Sequence, residues 1–149
     1  MKTVLNKADN NEIIERINQL TAVTKPLWGI MNVAQMLAHC QAPMRVALET
    51  KSVKQSFVGF LLGGWAKRQF LGDKPFRKNL PTDKTFIVAD ERDFTKEKAK
   101  IIEMLTSFAD QGSSSIIQSV HPFFGNMTAD EWGMLLWKHL DHHLQQFGV

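Results

Sequence analysis

Two histidines, His139 and His143, stand four residues apart in His139-Leu140-Asp141-His142-His143. One turn of α-helix stacks residues i and i+4 on one side, so both imidazoles can close on a single metal ion. A helix is expected there because Thr128 precedes Glu131 by three, the spacing at which each side chain satisfies the other's backbone N–H. It should start at about Ala129 and stop near Gly148, a residue suited to the left-handed turn after a helix. At roughly 100° per residue, Trp132, Leu135, Leu136, Leu140 and Phe147 form one apolar stripe, with His143 near its centre and His139 beside it. His142 falls at the margin, and Trp137, Lys138 and Asp141 lie on other faces. The spacing therefore favours His139 with His143 as a ligand pair. A histidine on an apolar face is also commonly a core residue bonded to a carbonyl. Two such histidines need partners for four ring nitrogens, and a metal satisfies two of these at once. HxxxH alone does not complete a site, which needs at least one further ligand from elsewhere.

The rest of the chain reads as helical almost throughout. Asn11–Leu20 predicts a short first helix buried through Ile13, Ile14, Ile17 and Leu20. Asn32, with Gln35 three residues on, caps a second, whose Val33, Met36, Leu37, Cys40, Met44, Ala47 and Leu48 face the core. Pro43 inside it withholds an N–H from the carbonyl of His39, which predicts a kink. His39 lies roughly 60° from Met36, at the edge of the stripe, from which it can reach a bundle interior or solvent. A third helix is expected over Ser56–Phe70, with Gly59, Gly63 and Gly64 spaced for close packing or a bend. Gly72–Asp93, broken by Pro75 and Pro81, reads as a long surface loop with a short extended piece at Thr85–Val88. Thr95 opens a fourth helix carrying Ala99, Ile102, Leu105 and Phe108, which Gly112 ends. Gln111–Ser115 is a connector, and His121-Pro122-Phe123-Phe124-Gly125 is placed to fold over one end of a bundle.

At 149 residues, the chain fits one domain, 1–149, with a core of its own. Its longest apolar run, Phe57–Ala66, is far shorter than the roughly 20 residues that span a bilayer. The polar start, Met1–Asn10, has no apolar segment leading to a cleavage site, so a cytoplasmic protein without membrane contact is expected. The single cysteine, Cys40, excludes an internal disulfide and reads as packing rather than as a nucleophile. The net charge of +3 hides a contrast. Lys51, Lys54, Lys67, Arg68, Lys74, Arg77, Lys78 and Lys84 face only Asp73 and Asp83 between Lys51 and Lys84, so the remainder is net acidic. With Phe57, Phe60, Trp65, Phe70 and Phe76 interleaved, this stretch has the ingredients to hold phosphates and stack bases. A solvated helix face with core aromatics is the simpler reading, and a rim drawing anionic small molecules to a pocket is a third. No nucleic-acid partner is expected.

His121–Thr128, followed by Glu131-Trp132 and by Lys138–Gly148, resembles the C-terminal signature of the DinB/YfiT-like metalloenzyme superfamily, in a branch with an HPFFG-type turn. Trp28-Gly29-Ile30-Met31-Asn32, leading into Gln35-Met36-Leu37-Ala38-His39-Cys40, resembles that superfamily's metal-bearing second helix. The resemblance spans most of the chain and is vague from Lys51 to Gly112. It implies an all-α, DinB-like four-helix bundle, here with a short extra N-terminal helix and a long loop, often as a homodimer. It also implies a divalent metal held by His39, His139 and His143. His39 enters as the third ligand through the resemblance; periodicity does not place it. Gln146, one turn beyond His143, matches a recurrent polar position that can orient a ligand or a metal-bound water. His121, His142 and Gln146 are the candidates for substrate contact, although His121 before Pro122 can equally tie the loop to the bundle.

Three neutral imidazoles leave an ion its full double charge and an open position. Zinc is the first expectation and nickel the second, since imidazole suits both. Characterised relatives of the DinB-like class include transferases and isomerases that use a low-molecular-weight thiol, so the activity that the resemblance implies is activation of a thiol or water against an electrophilic small molecule. The alternative is a non-catalytic bundle that holds an anionic ligand or a protein partner through its pocket and basic rim, with Lys67 and Arg68 prominent.

Overall fold

The computed structural model describes residues 1–49, 54–80 and 86–149. Among them the chain forms α1 (Lys7–Gln19), α2 (Val33–Leu48), α3 (Phe57–Phe70), α4 (Phe94–Gln111) and α5 (Ala129–Gln146). Before α5 comes a small antiparallel hairpin, β1 (Val120–His121) and β2 (Gly125–Asn126), with Val120 opposite Asn126 and His121 opposite Gly125. The protein is all-α in class, and no described helix is long and apolar enough to cross a membrane.

Four helices close a ring: α1 packs on α4, α4 on α2, α2 on α5 and α5 on α1. Their inward side chains form the core, with Trp132, Phe108, Ile13, Ile17, Met36, Leu37, Met44, Ile101, Leu105, Leu136, Leu140 and Leu144 fully buried. The N-terminal helix is thus a full member of the bundle rather than an addition to it. The helix that stands outside is α3, seated mainly on the hairpin.

Both expected capping boxes form. In α5, the Thr128 N–H donates to Glu131 Oε2 at 2.9 Å and the Glu131 N–H to Thr128 Oγ1 at 3.2 Å. In α2, Asn32 and Gln35 exchange the same pair of bonds at 3.0 and 2.9 Å. Two helix starts differ from the sequence reading because caps, not apolar periodicity, decide them. Asn6 accepts from the N–H groups of Ala8 and Asp9, so α1 begins one turn before its apolar stripe. Asp93 caps α4, which therefore begins at Phe94 rather than Thr95. α2 runs through Pro43 as one helix to Leu48. Among the described residues no strand pairs with Phe86–Val88, which is therefore not strand; Thr85 lies outside the described residues.

Candidate metal centre

Imidazoles from two neighbouring bundle helices meet in the space between α2 and α5. His39 comes from the second turn of α2; His139 and His143 come from consecutive turns of α5. Their ring centroids form a near-equilateral triangle with sides of 5.0 Å (His39–His139), 4.8 Å (His39–His143) and 4.7 Å (His139–His143). Each pair meets edge to face, at 65°, 78° and 88° respectively. One nitrogen of each ring lies within 4.8 Å of the others. Three rings converging by their edges rather than stacking by their faces is how imidazoles surround one ion. His39 thus reaches the bundle interior, the orientation that its helical position left open.

The outer nitrogens fix which tautomer faces inward. The Phe86 carbonyl lies 2.9 Å from His39 Nδ1, and a carbonyl can only accept, so Nδ1 carries the proton and Nε2 presents a lone pair. Gln146 does the same for His143. Its Nε2 donates to the Trp28 carbonyl at 2.7 Å, which turns its Oε1 toward His143 Nδ1 at 2.8 Å. That arrangement needs Gly29. Its φ of +82° is a left-handed conformation, and a Cβ there would collide with the Gln146 amide. Leu27 N–H to the Gln146 carbonyl, 2.7 Å, holds the same loop from its other side.

His39 Nε2 and His139 Nε2 lie 3.1 Å apart, and His139 Nδ1 is buried without a hydrogen-bond partner among the described residues. With the Nδ1 protons of His39 and His143 committed outward, a neutral His139 has one inward N–H to share between two inward lone pairs. A cation between the rings instead engages all three inward lone pairs together. The donor set therefore fits a metal better than a closed hydrogen-bond network. Burial also keeps the rings unprotonated at neutral pH. It lowers His39 despite the Phe86 carbonyl, takes His143 down to about 3, and holds His139 well below the ordinary range, with neighbouring histidines adding to the effect. Protons do not compete for these lone pairs near pH 7.

A search with protein-family models then places the chain: a family described as "Protein of unknown function (DUF1569)" matches residues 1–148. The chain belongs to the DUF1569 family. That family lies within the DinB/YfiT-like superfamily, the group that the sequence resembles. No curated protein and no solved structure matches the chain.

The remaining sequence candidates separate by position. His142 is half-buried beside the triad, 5.1 Å from the His143 ring, with Trp28 and Phe76 at 6.0 and 5.9 Å. It makes no hydrogen bond within the described residues. Gln146 is 4% exposed with both ends of its amide engaged, so its contact is with the ligand His143. His121 lies in the hairpin, where Nδ1 accepts from the N–H groups of Phe123 and Phe124, both at 3.1 Å, and its ring packs on Phe124 and Trp132. It ties the turn together and makes no ring contact with the triad. Cys40 is 1% exposed, and burial pushes its thiol far up, so it is packing. Of the basic stretch, Lys67 is paired with Glu131 at 2.7 Å and Lys78 sits 4.2 Å over the Trp28 ring; Lys51 and Lys84 lie outside the described residues. Sequence reasoning missed the Phe86 and Trp28 carbonyls, because a backbone acceptor leaves no mark in residue type. Gly29 was the one available signal.

Proposed function

We propose that His39, His139 and His143 hold a divalent metal and that the protein is a metal-dependent enzyme acting on an electrophilic small molecule with a thiol or water as nucleophile. The observation that carries this reading is the triangle of three imidazoles, two with their outer N–H groups committed to oxygen acceptors. Zinc is the first choice and nickel the second, and the nucleophile to test first is a low-molecular-weight thiol. When bound by three neutral imidazoles, such an ion acidifies a water or thiol to near-neutral pKa.

The chain's own residues do the rest. Phe86 and Gln146 fix ring orientation, so the ligands are in place before an ion arrives. Trp28 and Phe76 pack around His142 beside the triad. His142, adjacent to His143 and without a hydrogen bond among the described residues, is the group placed to orient a substrate.

Elemental analysis after loading with zinc or nickel and removal of excess tests the site. Near one ion per chain is expected in the wild type, with sharp loss in His39→Ala, His139→Ala and His143→Ala. His142→Ala should keep the metal and lower turnover in a screen of thiol-transfer and hydrolytic substrates. Metal content indifferent to all three ligand substitutions would make the triad structural.

A further inference from the structure

α3 departs from the logic of the other helices: it buries its small residues and exposes its large ones. Gly59, Gly63 and Ala66 are buried, and a Cβ on either glycine would strike the Phe123 carbonyl of the hairpin. Ser56 N–H to the Pro122 carbonyl at 2.8 Å and Gln55 Nε2 to the Phe123 carbonyl at 3.1 Å pin the start of the helix to the same seat. Facing away are Phe57 (77% exposed), Val58 (56%), Phe60 (74%), Leu61 (63%), Leu62 (55%) and Trp65 (64%).

Taking about 150–250 Å² for each aromatic side chain and less for each aliphatic one, these six leave roughly 700 Å² of apolar surface in water. The largest patch on a typical monomer is about 300–600 Å². One partner's share of a standard-size interface is about 800 Å². We propose that this face of α3 is the interface of a two-fold dimer, in which α3 packs against α3 of a second copy of this chain.

Three features favour a second copy over another occupant. The area is close to the share that each half of a standard-size interface buries. Gly64 lies in the middle of the exposed face, and a Cβ placed there meets nothing within 4 Å. It forms a notch where a second helix can approach closely, a shape that a lipid surface does not require. The cations also find places. Lys67 is already neutralised by Glu131, and an antiparallel crossing at Gly64 sets Arg68 of each copy beside Phe60 of the other, where a guanidinium over a ring is favourable. A two-fold contact closes on itself and adds no further copies.

The proposal is independent of the metal, and so is its test. Sedimentation of the full chain should give twice the 17.0 kDa chain mass at micromolar concentration. Leu61→Glu and Trp65→Glu should each give the monomer with an unchanged helical circular dichroism spectrum. Leu61→Cys should cross-link in pairs with a short bis-maleimide, since the native Cys40 is buried. A wild type that is monomeric at all concentrations, or a dimer that survives both glutamates and does not cross-link, would overturn it. Flotation of a monomeric wild type with phosphatidylglycerol vesicles would also overturn it, by making the face a lipid contact.

Discussion

The imidazoles themselves are ordinary; what distinguishes them is the acceptors behind them. Gln146 bonds His143 with one end and the Trp28 carbonyl with the other, so its amide cannot flip without breaking two hydrogen bonds. Gln146→Leu keeps the volume and removes both. Loss of such a supporting partner ordinarily lowers metal affinity about 10–100-fold. Competition against a chromophoric chelator should show a weakening of that order, with helical content unchanged. An affinity equal to the wild type would show that packing alone orients His143. At this scale the sequence was informative in proportion to how local the signal was. The i, i+4 spacing of His139 and His143 is written in the chain. That His39 faces them, and that Phe86 meets His39 across the fold, depends on where separate segments arrive.

Elements were legible where a cap or an amphipathic stripe marks them. The boxes at Asn32 and Thr128 placed the starts of α2 and α5, the helices that carry the three imidazoles, to within a residue. The hairpin was not legible, because two-residue strands carry no period and His121-Pro122-Phe123-Phe124-Gly125 reads equally as a loop. His121 is its internal fastener: its neutral Nδ1 accepts two N–H groups, and burial lowers its pKa to about 4 from the ordinary 6.5. The unfolded chain takes up a proton at His121 near pH 6.5, whereas the folded chain resists until about 4. Its contribution to stability is therefore whole above pH 6.5 and is lost as the pH falls toward 4, by about 3 kcal/mol. Asparagine can present an oxygen near the position of Nδ1 without titrating. His121→Asn should unfold in urea with a smaller drop in stability between pH 7 and 4.5 than the wild type. Equal drops would place the acid sensitivity elsewhere.

At the scale of the molecule, the bundle was expected and its membership was not. Apolar stripes show that four helices bury one face each, but not which helix is left out. Neither composition nor period shows that α3 is turned so that its glycines seat on the hairpin. The same four-helix ring holds the site at a cost. His39 on α2 and His139 and His143 on α5 bring polar rings into an otherwise apolar seam, and His139 Nδ1 is left without a partner among the described residues. A fold selected only for stability would fill that place with leucine. In the metal-free protein, His139→Leu should therefore melt near the wild type, because it removes the unpaired Nδ1 and gains packing but also takes from His39 Nε2 its hydrogen-bond donor. With metal the two should separate. An ion bound only by the folded state at a thousand times its dissociation constant adds about 4 kcal/mol. For a chain of this length that raises the melting temperature by roughly 10 °C. His139→Leu should gain little of this. Calorimetry of both proteins, each with chelator and with saturating zinc, reads all four values. A wild type that melts identically in both conditions, or a His139→Leu variant that gains as much as the wild type, would remove the metal from the account of why three histidines lie between α2 and α5.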